Sequence, residues 1–126
     1  MKLFFTLFCI LTLLLPSVAQ RGHAKKQSSW TGIASYYHNK FNGRKTASGA
    51  IFSNQKFTAA NNFLKLGTQV RVTNLKNGKE VLVVINDRLH ARNKRLIDLS
   101  QAAAKELGFL GKGLCKVRIE VVETSD

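Results

Sequence analysis

The sequence predicts a mainly β domain, and three observations support that prediction. Asn77-Gly78 favours the positive φ angles of a tight hairpin turn, so the segments on either side of it should pair as antiparallel strands. Only one clear helix is indicated, over residues 101–107. Apolar and polar residues alternate, as in half-buried strands, over residues 70–74, 81–85 and 117–121.

The single helix has a start signal and a stop signal. Ser100 is the expected N-cap, because a serine hydroxyl oxygen can accept a hydrogen bond from an amide of the first turn. The alanines within 101–107 should pack against the sheet. Gly108 suits the left-handed conformation that often ends a helix.

Residues 1–19 are typical of a secretory signal peptide, with the basic start Lys2, an apolar run over 3–15 and the small residue Ala19 at the expected cleavage site. The run is shorter than the roughly 20 residues that span a bilayer, so we expect no integral membrane segment after cleavage. Cys9 lacks the small residues that precede a lipid-modified cysteine, so we do not expect a lipoprotein. We therefore expect export to the periplasm or cell envelope, or secretion.

Residues 20–29 are polar, basic and without periodicity, and should form a disordered lead-in. The folded unit then covers residues 30–124, enough for one compact core. Removal of Cys9 with the signal leaves Cys115 as the only cysteine, so no intramolecular disulfide can form. We interpret Cys115 as a small buried apolar residue near the start of a strand.

The chain is strongly basic, with 20 Lys and Arg against 7 Asp and Glu and a net charge of +13, which loss of Lys2 would lower by one. Such a charge attracts polyanions, which for an exported protein are the anionic polymers of the envelope. No RNA-binding motif or helix-turn-helix pattern supports a nucleic-acid partner. The histidines and Cys115 show no metal-ligand spacing, and no glycine-rich phosphate loop is present, so we expect no metal and no cofactor.

Two carboxylates, Asp87 and Asp98, follow apolar runs that resemble strands. A carboxyl group beside an apolar wall tends to hold its proton, as a general acid must. The helix that begins after Asp98 acts in the opposite direction, because its N-terminus favours a negative charge. In the alternative interpretation Asp98 caps that helix and Asp87 pairs with Arg88, Arg92 or Arg95.

A series of short motifs resembles, in order, the rare lipoprotein A (RlpA) family of bacterial cell-wall proteins. The main motifs are GIASYY at 32–37, FNGRKTASG at 41–49, FTAA at 57–60, VRVTNL at 70–75, NDR at 86–88 and IDLS at 97–100. The resemblance covers nearly everything from 32 to 122. It implies a six-stranded double-psi β-barrel with one or two short helices, related to expansins. It also implies an endolytic lytic transglycosylase that cleaves peptidoglycan glycan strands and leaves 1,6-anhydro-N-acetylmuramic acid ends.

The resemblance assigns roles to several residues. Asp98 matches the general acid of related barrel endoglucanases and the essential aspartate of expansins, and Asp87 matches a second aspartate of the same groove. A lytic transglycosylase can work with one acid/base, because the attacking C6 hydroxyl is already tethered to the sugar that is cleaved. The residues expected to bind the glycan are Tyr37, Arg44, Thr46, Asn61 and Arg88.

The sequence departs from the family at positions linked with the groove. Ala50 stands where the family usually has a glutamate, and Asn61 where it usually has a histidine. Asparagine can orient a sugar or a carboxylate, but it cannot carry a proton between pH 5 and 8. Residues 89–91 also replace the family's Gly-Pro-Phe. These departures favour an alternative function, a non-catalytic glycan-binding or wall-remodelling module of expansin type.

Overall fold

The computed structural model describes residues 28–123, which form six strands, one short α-helix and one 3-10 helix. The predicted signal peptide and most of the predicted lead-in lie outside the described residues. Ser29, which we assigned to the lead-in, is the first residue of a strand. The elements are β1 (Ser29–Tyr36), the 3-10 helix (Asn39–Phe41), β2 (Thr58–Ala60), β3 (Gln69–Asn74), β4 (Glu80–Asp87), β5 (Ile97–Leu99), α1 (Gln101–Glu106) and β6 (Cys115–Glu123).

The six strands close into a barrel in the order β1, β5, β2, β4, β3, β6, and β6 pairs with β1 to complete the ring. Two neighbouring pairs are parallel, β1 with β5 and β2 with β4, and the other four are antiparallel. This is the pairing of a double-psi β-barrel, so the predicted fold is confirmed. None of the described helices is long and apolar enough to cross a bilayer.

Alternation along the long strands builds the core. On β4, Val83 and Ile85 point into the barrel and are buried, whereas Leu82 and Val84 between them are exposed. The same alternation buries Val117 on β6. Burial of one such aliphatic side chain contributes about 1.5–3 kcal/mol, so the interior is the main source of stability. The other large aliphatic side chains of the strands that are fully buried are Val70, Val72, Ile97, Leu99 and Ile119.

The hairpin between β3 and β4 forms where the sequence predicted it, with Val72 opposite Val81. Its turn is longer than a two-residue hairpin turn, because residues 75–79 lie between the strands. Gly78 alone has a positive φ there, at 77°. The turn is tied to the end of α1, since the side-chain amide of Asn77 donates to the carbonyl of Leu107 at 3.0 Å.

Helix α1 begins and ends at the predicted signals. The Ser100 hydroxyl accepts a hydrogen bond from the amide of Ala103 at 3.2 Å, and Gly108 follows the helix with a φ of 76°. Ala103 and Ala104 are fully buried. Because α1 begins two residues after β5, it fixes the end of the strand that carries Asp98.

Gly32 lets β1 approach β5 closely. A Cβ atom added at Gly32 would lie 2.8 Å from the Cβ of Leu96, inside van der Waals contact. We expect Gly32→Ala to lower the free energy of unfolding by about 1–3 kcal/mol, as overpacking does elsewhere, measured by urea denaturation. Leu96→Gly in the same chain removes that Cβ and with it the clash, so the double variant should lose less than the two single losses added. Strictly additive losses would contradict this account of Gly32.

Candidate active site

A groove of about 580 Å³ opens at the end of the barrel where β4 finishes and β5 begins. Ala60 of β2 pairs with Asp87 on one side and with Asp98 on the other. Two strand spacings therefore separate the two aspartates, which puts their Cα atoms roughly 10 Å apart. Six of the seven predicted site residues line this groove: Tyr37, Arg44, Thr46, Asp87, Arg88 and Asp98.

The Asp87 carboxylate is held by three hydrogen-bond donors. Its Oδ1 accepts from the backbone amides of Ala47 at 3.0 Å and Arg88 at 2.9 Å, and its Oδ2 accepts from the Tyr37 hydroxyl at 2.7 Å. The amide of Ala47 belongs to the loop that carries Arg44 and Thr46. Asp87 thus fastens this loop and the Tyr37 ring to the end of β4.

Among the described residues, the Asp98 carboxylate has one side-chain partner, the guanidinium of Arg95. Nε of Arg95 donates to Oδ1 at 2.8 Å and its Nη2 donates to Oδ2 at 3.0 Å, and the hydrogen bond raises the pKa of Arg95. The Asp98 side chain is 14% exposed and that of Arg95 is 37% exposed. The guanidinium can therefore leave the pair without unpacking the core.

These contacts correct the alternative interpretation of the two aspartates. Asp98 pairs with Arg95 and leaves the capping of α1 to Ser100. Among the described residues Asp87 forms no ion pair with an arginine, and it binds backbone amides instead. The two aspartates have therefore exchanged the roles that this interpretation gave them.

Tyr37 remains a hydrogen-bond donor at all ordinary pH values. Burial raises the pKa of its hydroxyl strongly, and the hydrogen bond to Asp87 and the charges of Asp87 and Asp98 raise it further. The protonated hydroxyl makes its full contribution to the free energy of unfolding at neutral pH. That contribution is lost only as the pH rises above the ordinary tyrosine pKa of about 10.

An aromatic wall with a cationic rim faces the two carboxylates. The Tyr37 ring lies 4.4 Å from that of Phe52 and 5.7 Å from that of Phe41, between centroids. Arg44 Cζ and Lys40 Nζ lie 5.1 Å and 5.2 Å from the Phe41 centroid, close enough for cation–π attraction. The rim therefore offers both apolar faces and positive charge to a ligand.

Two predicted binding residues also serve the structure of the groove wall. The Thr46 hydroxyl donates to the carbonyl of Ala50 at 2.9 Å and so braces its own loop. Arg88 Nη1 donates to the carbonyls of Asn61 and Leu64, which anchors the guanidinium to the turn after β2. Both residues still line the groove.

Asn61 is the predicted binding residue that the structure leaves out of the groove. Its side chain is fully buried, Nδ2 donates to the carbonyl of Leu96, and Oδ1 accepts from the amides of Phe63 and Leu64. The buried amide has no exposed surface that could contact a sugar, so it supports the groove from behind. Ala50 does not line the groove either. The departures from the family pattern at these two positions therefore leave both groove carboxylates in place.

Several groove residues were missed by the sequence interpretation. Arg95 was considered only as a partner of Asp87, because residues i and i+3 of an extended segment point to opposite faces and the spacing to Asp98 gives no signal of pairing. Others lie in loops or in the 3-10 helix, where no periodicity marks them: His38, Lys40, Lys45, Phe52, Leu89, His90 and Asn93. Within residues 28–123, no three His, Cys, Asp or Glu side chains converge as metal ligands would.

The sequence matches the model of the lytic transglycolase family over residues 29–119. The chain belongs to this family. It is 49% identical over 104 residues to the endolytic peptidoglycan transglycosylase RlpA of Haemophilus influenzae, an alignment that covers 82% of this chain and 36% of that protein. The chain thus spans little more than a third of the length of the curated relatives it matches.

Several solved structures have the same barrel fold as this member of the lytic transglycolase family, but their sequence identity to it is lower than that of the relatives above. The Streptomyces papain inhibitor is 24% identical with a TM-score of 0.63, over 76% of this chain and 96% of that one. The expansin of Clavibacter michiganensis is 23% identical with a TM-score of 0.59, over 79% of this chain and 52% of that one. These likenesses describe the fold.

Proposed function

We propose that this protein is an exported endolytic lytic transglycosylase that cleaves the glycan strands of peptidoglycan. The observation that carries the proposal is the pair of carboxylates, Asp87 and Asp98, which lie in one groove on the two strands that flank β2. Asp87 is fixed by three donors, whereas Asp98 is held by one side chain that can move away. Asp98 is therefore the acid/base, and Asp87 positions the groove wall.

The reaction needs only one proton carrier. When the guanidinium of Arg95 moves to the bound glycan, Asp98 takes up a proton from the solvent and gives it to the glycosidic oxygen, whose bond to C1 of N-acetylmuramic acid breaks. The Asp98 carboxylate then removes the proton from the C6 hydroxyl of that sugar, and O6 bonds to C1 to close the 1,6-anhydro ring. After ring closure Asp98 is protonated again, as it was immediately before the bond was cleaved, and no water is consumed.

One observation favours the second candidate, a non-catalytic glycan-binding module. In this structure the bidentate contact with Arg95 occupies both oxygens of Asp98. If Arg95 never leaves, the groove presents an aromatic wall and cations to a glycan but no available acid. Both the transglycosylase and the binding module would bind glycan strands, but only the transglycosylase would form anhydro products.

Digestion of purified murein, and of glycan strands stripped of stem peptides, separates the candidates. Mass spectrometry should find fragments with 1,6-anhydro-N-acetylmuramic acid ends. The fragment lengths should show that cleavage occurs within long strands and not only at their termini. Murein that is bound by the protein yet uncut at high protein concentration would select the binding module.

The positive charge adds a second, less specific attraction. Five cationic side chains line the groove against two carboxylates: Lys40, Arg44, Lys45, Arg88 and Arg95. We propose that anionic envelope polymers bind this charge, and that the protein acts in the periplasm or cell envelope. The family relatives, named as peptidoglycan transglycosylases, support glycan strands as the substrate.

The affinity for murein should fall as salt is added. The screening length drops from about 8 Å at 0.15 M salt to about 3 Å at 1 M, so contacts of the cationic rim weaken while stacking on the aromatic wall persists. Co-sedimentation with murein sacculi at the two salt concentrations measures the effect. Equal binding at both would show that charge contributes little.

A further inference from the structure

A pocket of about 370 Å³ lies at the end of β4 away from the groove. Its walls are the β3–β4 hairpin, the turn after α1 and the segment that leads into β6, and it shares no lining residue with the groove. Since β4 has eight residues, it runs roughly 23 Å from this pocket to Asp87. The pocket is therefore separate from the candidate active site.

The walls of the pocket are fixed by hydrogen bonds. Asn74 Nδ2 and Asn77 Nδ2 both donate to the carbonyl of Leu107, at 2.8 Å and 3.0 Å, and so join the hairpin to the end of α1. Phe109 is 2% exposed and forms part of the wall. The pocket is thus formed before any ligand arrives, as most binding sites are.

Three lysines from three different segments line this pocket: Lys76, Lys112 and Lys116. The ion pairs between described residues are Arg71–Glu80, Arg95–Asp98 and Arg118–Glu120. No described carboxylate therefore neutralises the ammonium groups of the three lysines. Positive charge that is concentrated in a concave site without a protein counter-charge attracts an anionic ligand.

The positive charge of the lysines acts on Cys115, which lies in the wall of the pocket. It is the first residue of β6, it lines the pocket, and its thiol is free. Burial raises the pKa of the thiol, while the charges of Lys112 and Lys76 lower it. Two lysines from separate loops thus affect the same thiol electrostatically.

We propose that this pocket binds a phosphate group. Lysine ammonium groups are compact charges that suit the several oxygens of a phosphate, and three of them exceed the charge of one phosphate dianion. The volume of about 370 Å³ leaves room for a glycerol- or sugar-sized unit that carries the phosphate. The phosphate can come from a soluble phosphorylated molecule or from a lipid headgroup.

The test uses Cys115 as the reporter in the full chain with Cys9→Ser, in which Cys115 is the only thiol. Its rate of reaction is measured with a dianionic aromatic disulfide and with a neutral pyridyl disulfide. We expect inorganic pyrophosphate to slow both reactions, and to do so more than sodium chloride or acetate of the same ionic strength. In the absence of pyrophosphate, the lysines should increase the rate of reaction of Cys115 with the anionic reagent more than its rate with the neutral reagent.

Matched double variants separate the pocket from general charge. In Lys76→Gln/Lys112→Gln the rate advantage of the anionic reagent should fall about fivefold for each charge removed, the effect of a partly screened charge at short range. Protection by pyrophosphate should also disappear. Lys56→Gln/Lys65→Gln removes the same charge from exposed lysines that do not line the pocket, and should change neither result.

Amide chemical shifts give a second readout that does not depend on thiol access. Pyrophosphate should move the signals of Gly108 and Lys112, which line the pocket, and the lysine variants of the pocket should abolish the movement. Protection of Cys115 by phosphatidylglycerol vesicles, but not by phosphatidylcholine vesicles or pyrophosphate, would assign the phosphate to a lipid headgroup. Protection by neither phosphate source, or equal protection in both double variants, overturns the proposal.

Discussion

Replacing Asp98 by asparagine should abolish the formation of anhydro ends while leaving the barrel folded. Asparagine keeps the volume of the side chain and an oxygen that can accept from Arg95, but it has no proton to give to the glycosidic oxygen. Loss of a general acid lowers the rate by about 10² to 10⁴-fold, and we expect the upper part of this range because the same group also acts as the base. Product formation is measured by mass spectrometry and folding by circular dichroism.

Glu106→Gln is the matched control for this experiment. Glu106 is exposed on α1 and does not line the groove, so loss of its charge should leave the rate unchanged. Wild-type activity in Asp98→Asn would move the acid/base role to Asp87 or end the enzyme proposal. Loss of folding would instead mean that the pair with Arg95 is mainly structural.

The second large effect is a difference between two variants of Asp87. Asparagine at this position keeps an oxygen for the amides of Ala47 and Arg88, and its NH₂ can donate to the Tyr37 hydroxyl. Alanine leaves all three donors without their partner, so the loop that carries Arg44 is released. We expect Asp87→Asn to stay within about tenfold of the wild-type rate and Asp87→Ala to lose roughly 10²-fold, as misplaced binding groups do.

Urea denaturation of the two variants checks the structural part of this prediction. Asp87→Ala should lose about 2–4 kcal/mol of unfolding free energy, because hydrogen bonds to a charged group are each worth about 1.5–3 kcal/mol and part of the loss is recovered by water. Equal inactivity of Asp87→Asn and Asp87→Ala would show that Asp87 itself transfers a proton.

The sequence contains most of the information that defines the barrel. Alternation identified β3, β4 and the core of β6, because each has one face in the interior and one in water. Strands β2 and β5 have three residues each, too few for a period to be measured. Their order in the barrel depends on parallel pairs between distant segments, which came from the family resemblance and not from local pattern.

The candidate site was predicted less completely than the fold. Asp87 and Asp98 could be selected because few acids follow apolar strands in so basic a chain. The partner of each carboxylate could not, since hydrogen bonds to Ala47 and Tyr37 form only when residues far apart in sequence meet. Asn61 was misplaced for the same reason. Its position in a family motif indicated a binding residue, but the sequence does not show that its side chain is buried in the folded barrel.

The most direct measurement of the central claim is digestion of glycan strands in oxygen-18-labelled water, followed by mass spectrometry of the new ends. A lytic transglycosylase with Asp98 as acid/base closes the ring with the sugar's own C6 oxygen, so the ends should be anhydro and unlabelled. The same digestion with Asp98→Asn should give no new ends. Labelled reducing ends would identify a hydrolase, and bound strands without new ends would identify a binding module, and either result would contradict the proposed function.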